Sequence, residues 1–157
     1  YDTNCAESYR KMKELCAQYG LRAVTPLDAA EGVSNIDSEE PYVKAANLFD
    51  RYQQHVRNCD AIIANLNDFR GYECCNDVGF ECGMGFQLGK KLFGYMDDTT
   101  IMKKRIPNMG EENGFRDEKG CNVENFDYPI NLMFSSSMPI YEGKFETVIK
   151  EIAKQLV

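Results

Sequence analysis

The sequence predicts an α/β fold, a doubly wound parallel sheet of about five strands with helices on both faces in a single domain. Amphipathic helical stripes alternate with short apolar runs along the chain, and this alternation is typical of strands joined by right-handed helical crossovers. The length of 157 residues suits one domain with a core large enough for unaided folding. The hydrophobic fraction of 43% and the charged fraction of 27% exclude a disordered or fibrous chain.

The beginning of the chain predicts a helix, a strand and a loop. Apolar side chains recur at three- and four-residue spacing over residues 5–19, which predicts an amphipathic helix that ends at Gly20. Residues 21–27 form a brief apolar run with Pro26 near its end and predict a buried strand. Residues 28–41 are polar, acidic and rich in turn-forming residues, so we expect a loop long enough to act as a lid.

The middle of the chain predicts two further strands, each preceded by a helix. Residues 42–58 have the apolar side of a helix and lead into a buried parallel strand at residues 60–66. Residues 78–88 predict the next helix, which ends at Gly89, and residues 91–96 predict the next strand. The loop after the first of these strands would lie where open α/β sheets bind ligands.

The last third of the chain predicts a long connection, a strand and a helix. Residues 97–128 are charged and rich in Gly, Asn, Asp and Glu, which predicts irregular structure that serves a site or a subunit contact. Residues 138–141 predict a short strand, and residues 145–156 predict a final amphipathic helix.

Charge and residue usage exclude several function classes. The formal net charge of −7 repels the phosphate backbone, so we expect no nucleic-acid partner. No apolar run approaches the ~18 residues that span a bilayer, and no signal-peptide pattern begins the chain. Seven cysteines without a C-x-x-C pair fit reduced thiols, so we expect a cytoplasmic protein without membrane association. Because His55 is the only histidine, we expect no metal site.

Two carboxylates follow the strand at residues 60–66. Asp77 and Glu81 are four residues apart at the start of a predicted helix, which places them on one face. One interpretation is that both are helix-start acids stabilised by the helix dipole. However, Glu81 lies between Phe80 and Cys82 in an otherwise apolar helix, where we expect a partly desolvated carboxylate with a raised pKa.

Two phosphate-binding motifs fail on their spacing. Gly83, Gly85 and Gly89 lie within or at the end of a helix, not in the strand-to-helix turn of a dinucleotide fingerprint. The pair Gly89-Lys90 lacks the upstream glycine and the following Ser or Thr of a P-loop. We therefore expect no nucleotide cofactor.

Three motifs in order resemble one enzyme family. They are DAIIANLNDFRG at residues 60–71, FECGMGFQLGKKL at residues 80–92 and YPINLM at residues 128–133. Together they resemble the nucleoside 2-deoxyribosyltransferases. The resemblance spans residues 1–157 as one domain, implies a flavodoxin-like sheet, and implies a first strand that precedes residue 1.

The resemblance implies a covalent transfer of 2-deoxyribose between nucleobases, as part of nucleotide salvage and without a cofactor. Glu81 matches the nucleophile, which forms a glutamyl-deoxyribose ester after the first base leaves. Such a carboxylate divides one difficult displacement into two easier ones. The family carries an aspartate six residues earlier, where this chain has Cys75. Asp77 is the nearest substitute for that acid.

The resemblance also implies substrate-binding residues and an oligomer. Asn131 and Met133 match an N-x-M pair that resembling enzymes supply to a neighbouring subunit's deoxyribose, so we expect a homo-oligomer built from dimers, with hexamers also open. In the alternative interpretation, the turn after Pro129 is buried, with Leu132 and Met133 in the core. The expected binding residues for the deoxynucleoside and the free nucleobase are Phe69, Arg70, Gly71, Cys75, Asn131 and Met133.

Two other functions remain open on the sequence alone. The first is an N-glycoside hydrolase, in which water resolves the Glu81 ester of a deoxynucleoside or its 5'-monophosphate. A phosphate would need clustered serines or arginines, and the chain offers only Arg70 in the loop after residues 60–66 and the serines at 135–137 after Asn131. The second is a non-catalytic nucleoside-binding module, which the cysteine at position 75 favours because general acid catalysis is worth ~10²–10⁴-fold in rate.

Overall fold

The computed structural model describes residues 5–30 and 40–156, and their contacts divide the chain into two compact units. One unit combines Tyr1–Asp60 with Phe145–Val157, and the other is Ala61–Lys144. Most of the predicted lid loop, residues 31–39, lies outside the described residues. In chain order the elements are α1 (Cys5–Gln18), α2 (Pro26–Ala30), α3 (Pro41–Asn58), β1 (Ala61–Asn65), α4 (Asn76–Gln87), β2 (Lys91–Met96), α5 (Met102–Arg105), a short 3-10 helix (Glu111–Asn113), α6 (Leu132–Ser135), β3 (Ile140–Glu142) and α7 (Phe145–Ala153).

The first unit is helical in the residues described. Helix α1 packs against α7, and α2 packs against α3. Ile149 and Ile152 of α7 are completely buried, because the apolar residues of this helix recur at the spacing that forms one face. The helices predicted at residues 5–19, 42–58 and 145–156 are thus confirmed as α1, α3 and α7.

The strand predicted at residues 21–27 is wrong. Residues 21–25 have no regular structure, and Pro26 begins α2. The Asp28 carboxylate accepts hydrogen bonds from the Thr25 backbone N–H at 2.6 Å and from the Thr25 hydroxyl at 2.8 Å, as in a capping box. Proline is favoured in the first helical turn because its missing N–H needs no partner there. The run Thr-Pro-x-Asp therefore starts a helix.

The second unit contains a parallel sheet of three strands in the order β1-β2-β3. Asn65 of β1 lies opposite Tyr95 of β2, and Gly94 of β2 lies opposite Ile140 of β3. The predicted α/β class with a parallel sheet is confirmed, and the described residues form three strands where the sequence predicted about five. Because the strands are parallel, the loops that follow β1 and β2 leave the same edge of the sheet.

The core of the second unit surrounds the central strand β2, which is buried from its second residue to its last. The buried members of this core are Ala64, Leu66, Cys74, Cys82, Leu92, Met96, Ile130 and Met138. Leu66 and Ile130 are completely buried, and each such side chain contributes about 2 kcal/mol to stability. These contacts join α4 and the segment before α6 to the sheet.

Helix α4 approaches the sheet closely at Gly85. A Cβ atom at this position would lie 2.4 Å from Ile62 Cδ1 and 3.2 Å from Leu92 Cδ2, whereas a Cβ atom at Gly83 would meet nothing within 4 Å. We expect Gly85→Ala to lower the free energy of unfolding by about 2 kcal/mol through overpacking. Gly83→Ala is the matched control and should raise it by roughly 1 kcal/mol, since alanine is the better helix former.

Urea unfolding followed by circular dichroism measures both variants of α4. Equal effects of the two alanines on the free energy of unfolding would contradict the close approach at Gly85, because helix propensity changes alike at both positions.

The connection between β2 and α6 has a small core of its own. Met102, Ile106 and Val123 are buried, and Phe115 packs against them. The Met102 backbone N–H donates to the Tyr128 carbonyl at 2.8 Å, which closes the connection on itself. The predicted irregular structure is confirmed, since α5 and the 3-10 helix are its only helical turns within the residues described. No described helix is both long and apolar enough to cross a membrane.

Candidate active site

The loops after β1 and β2 are joined at the carboxyl edge of the sheet. Asn65 Oδ1 accepts hydrogen bonds from the Asn67 backbone N–H at 3.1 Å and from Asn67 Nδ2 at 2.8 Å. Asn67 Oδ1 in turn accepts from the Asp97 backbone N–H at 2.7 Å. These bonds fix the start of the loop that leads to α4, at the edge where the sequence predicted the site.

Helix α4 carries the predicted pair of carboxylates. Asp77 lies in its first turn and is exposed, whereas Glu81 lies one turn later and is half-buried. Burial of the Glu81 carboxyl, and then the negative charge of Asp77, raise the pKa of Glu81 above its usual 4.5. The prediction of a partly desolvated glutamate is therefore confirmed. A partly buried carboxylate on this helix can act as a nucleophile.

Cys75 occupies the position immediately before α4. It is the N-cap residue, and its side chain makes no capping hydrogen bond. Its neighbours Cys74 and Cys82 are buried, and burial is the main cause that raises the pKa of the Cys74 thiol to about 11 and that of the Cys82 thiol to about 12. Both thiols pack in the core, and buried thiols of raised pKa are weak nucleophiles at neutral pH.

The loop between β1 and α4 presents three of the predicted binding residues together. Phe69 is 54% exposed, and the Arg70 guanidinium lies 5.1 Å from the centroid of its ring. Gly71 has a φ of +107°, which other residues rarely adopt. The Phe69 backbone N–H donates to the Glu73 carbonyl at 2.9 Å, so the loop folds back on itself and exposes an aromatic ring beside a cation.

Asn131 and Met133 lie at the start of α6. Asn131 is the N-cap residue, and its Oδ1 accepts from the Met133 backbone N–H at 2.9 Å. Met133 is 72% exposed and Leu132 is 37% exposed, while Ile130 is completely buried. The interpretation that places Leu132 and Met133 in the core is therefore wrong. The turn is helical, but the apolar residue that it buries in the core is Ile130.

Helix α6 lies beside helix α4. A Cβ atom on Gly79 would lie 3.3 Å from Phe134 Cζ, so the ring of Phe134 rests against α4 at Gly79. The absence of a side chain at Gly79 permits this approach. The structure thus brings the turn that carries Asn131 next to the helix that carries both carboxylates.

Arg105 is a residue that the sequence analysis missed. Its side chain is only 10% exposed, and its Nη1 lies 2.7 Å and 3.0 Å from the two carboxylate oxygens of Asp68. Its Nη2 donates to the carbonyls of Pro129 at 3.0 Å and of Tyr72 at 3.4 Å. Arg105 therefore connects the loop after β1 to the segment before Asn131.

No cation site accompanies these residues. In the part of the chain that the structure describes, no three His, Cys, Asp or Glu side chains are grouped so that they could hold a metal ion. The polar groups around α4 are the carboxylates of Asp77 and Glu81, the amide of Asn131, the guanidinium of Arg70 and backbone atoms. This donor set is suited to acid–base and nucleophilic chemistry on an organic substrate.

Comparisons with known proteins agree with the resemblance in the three motifs. A family model described as nucleoside 2-deoxyribosyltransferase matches residues 1–133. A solved structure of a 2-desoxiribosyltransferase from Leishmania mexicana is 26% identical, with a TM-score of 0.77 over 100% of this chain and 92% of that chain. An uncharacterized protein from Schizosaccharomyces pombe is 25% identical over 98% of this chain and 84% of its own length. The chain belongs to the nucleoside 2-deoxyribosyltransferase family.

Proposed function

We propose that this protein transfers a 2-deoxyribosyl group between nucleobases through a covalent ester on Glu81. The observation that carries the proposal is the half-buried carboxyl of Glu81, whose pKa is raised by burial and by Asp77. This residue stands on α4, at the position that matches the nucleophile of the resembling enzymes. Family membership supports the same class of reaction.

The chemistry needs two displacements at the anomeric carbon. A Glu81 oxygen bonds to this carbon while the glycosidic C–N bond breaks, and the departing base takes a proton from the Asp77 carboxyl, which carries the one proton of the Asp77–Glu81 pair while Glu81 is ionised. A second base then bonds to the anomeric carbon, the ester C–O bond breaks, and Asp77 accepts the proton of the incoming N–H. Two inversions retain the configuration of the sugar, as in retaining glycosidases.

We assign substrate binding to side chains on α4 and on the segments beside it. We assign Phe69, Phe80 and Met133 to the wall against which a base stacks, because all three side chains are more than half exposed and aromatic or polarisable. Asn131 is assigned to the deoxyribose. In the homo-oligomer that the family resemblance implies, Asn131 and Met133 complete this wall from a neighbouring copy, and the 72% exposure of Met133 leaves it accessible for that contact.

Transfer is preferred over hydrolysis of a 5'-monophosphate because two of the serines after Asn131 are already engaged. The Ser135 hydroxyl donates to the Ile130 carbonyl at 2.9 Å, and the Ser137 hydroxyl donates to the Phe134 carbonyl at 3.1 Å. Both hydroxyls thus bond within their own turn, and Arg70 is left as the exposed cation of the loop after β1.

An acceptor-dependent assay tests the proposal. Purified protein is incubated with 2'-deoxyinosine, with and without free adenine or cytosine, and the products are separated by chromatography. A new deoxynucleoside that forms only when the acceptor is present supports transfer. Release of free hypoxanthine without an acceptor would show that the protein hydrolyses the deoxynucleoside and would contradict transfer. Binding of deoxyinosine without any turnover would identify a nucleoside-binding module.

Replacing Asp77 with asparagine tests the proton donor. We expect Asp77→Asn to slow transfer by on the order of 10²-fold, since it removes a general acid. It should also move the acidic limb of the kcat/KM profile to lower pH, because the charge of Asp77 helps to raise the pKa of Glu81. The measurement is the pH dependence of kcat/KM for both proteins.

Cys75→Asp serves as the companion variant to Asp77→Asn, because it places an acid where the family carries one. Combined with Asp77→Asn, it should restore part of the rate. An unchanged rate and an unchanged acidic limb in Asp77→Asn would exclude Asp77 as the acid.

A further inference from the structure

Glu124 holds the side chain of Asn131 in place. Its Oε1 accepts a hydrogen bond from Asn131 Nδ2 at 2.7 Å, and its Oε2 accepts one from the Leu132 backbone N–H at 2.8 Å. Asn131 Oδ1 meanwhile accepts from the Met133 backbone N–H at 2.9 Å. The amide nitrogen is thus held by Glu124, and the amide oxygen is held by the first turn of α6.

These contacts permit one orientation of the Asn131 amide. If the amide were flipped, its NH₂ group would face the Met133 N–H donor and its oxygen would face the Glu124 carboxylate. In the observed orientation, one Nδ2 hydrogen and one lone pair of Oδ1 are left for a ligand. Glu124 is half-buried, so its charge-assisted bond to Asn131 is only partly weakened by water.

We propose that Glu124 is a positioning residue that fixes the Asn131 amide in the orientation that binds deoxyribose. The inference rests on the proposed function, in which Asn131 contacts the sugar. Glu124 lies in the connection between β2 and α6, the segment for which the sequence predicted a role at a site or a subunit contact. Two residues of this connection therefore contact the segment around Asn131. Glu124 bonds to Asn131 and Leu132, and Arg105 bonds to the Pro129 carbonyl while it pairs with Asp68 of the loop after β1.

A double-mutant cycle separates positioning from a merely structural role. Glu124→Gln supplies an amide in place of two acceptor oxygens, so it cannot accept from both Asn131 and Leu132. We expect Glu124→Gln to lower kcat/KM by on the order of tenfold. In an Asn131→Ala background, the same substitution should change kcat/KM less than about twofold, because the residue through which Glu124 acts is gone.

Glu118→Gln is the matched control, since Glu118 is an exposed glutamate of the same connection. It should leave kcat/KM unchanged in both backgrounds. If Glu124→Gln lowers kcat/KM equally with and without Asn131, the effect passes through the backbone at Leu132, and the positioning role is overturned while transfer itself stands.

A spectroscopic measurement tests the same inference without turnover. The side-chain NH₂ signals of Asn131 are identified in a ¹⁵N–¹H spectrum as those that disappear in Asn131→Ala. We expect Glu124→Gln to move these signals upfield, because a charge-assisted hydrogen bond is lost, and Glu118→Gln to leave them in place. Unmoved signals in Glu124→Gln would overturn the inference. Absence of both transfer and hydrolysis in the wild-type protein would overturn the proposed function instead.

Discussion

Replacing Glu81 with glutamine is expected to lower deoxyribosyl transfer by on the order of 10³-fold or more, because the ester cannot form without a carboxylate nucleophile. The variant should nevertheless fold at least as well as the wild-type protein. Glutamine has nearly the same shape, and it places no charge in the half-buried site of Glu81. Activity and the thermal unfolding midpoint, measured on the same samples, test both parts of this prediction.

The raised pKa of Glu81 sets the direction of two pH dependences. Transfer needs the ionised carboxylate, so kcat/KM should rise with pH along an acidic limb that lies above the ordinary value of 4.5. The linkage for stability has the opposite sign. A carboxyl whose pKa is higher in the folded state than in the unfolded state stabilises the fold at low pH, and this contribution is lost as the pH rises through the raised value. Glu81→Gln should therefore remove this decrease in the free energy of unfolding with rising pH.

Glu146→Gln is the control for Glu81→Gln, because Glu146 is an exposed glutamate in the first turn of another helix, α7. It should change neither transfer nor the pH profile. Full transfer activity in a folded Glu81→Gln variant would contradict the covalent mechanism. Another residue would then have to be the nucleophile, and the buried thiols of Cys74 and Cys82 are poor candidates.

The fold could be predicted where one physical signal dominated. Residues 92–96 are a continuous apolar run, and the structure confirms the strand predicted at residues 91–96 as β2, because a central strand must be apolar on both faces. Residues 21–27 carried two signals that compete. Their apolar residues favoured a strand, but the capping contacts of Asp28 with Thr25 start a helix at Pro26.

The site could be predicted only as far as neighbours along the chain determine it. The environment of Glu81 follows from the apolar residues beside it on α4, so the rise in its pKa was predictable. Arg105 contacts Asp68 and Pro129, which are 37 and 24 residues away in sequence. Glu124 contacts Asn131 across a loop. Both come from a connection with many charged residues, and no spacing rule distinguishes a buried charge from a solvated one there.

Replacing Arg105 with methionine is expected to lower the free energy of unfolding by about 2 kcal/mol, because the ion pair with the half-exposed Asp68 and the hydrogen bonds to two carbonyls are lost together. Methionine matches the bulk of the arginine stem but leaves Asp68 and the Pro129 and Tyr72 carbonyls without their donor. Arg105→Lys keeps the charge but loses the planar fork that reaches these groups together, so its loss should be intermediate. Urea unfolding followed by circular dichroism gives all three values.

Lys154→Met is the matched control for Arg105→Met. Lys154 also pairs with a carboxylate, that of Glu151, but the two side chains are 59% and 51% exposed, and such pairs contribute little because water screens them. A loss for Arg105→Met no larger than that for Lys154→Met would contradict the connecting role of Arg105. The expected order follows from burial and from the carbonyl contacts of Arg105, since the two ion pairs have similar shortest N–O distances of 2.7 Å and 2.8 Å.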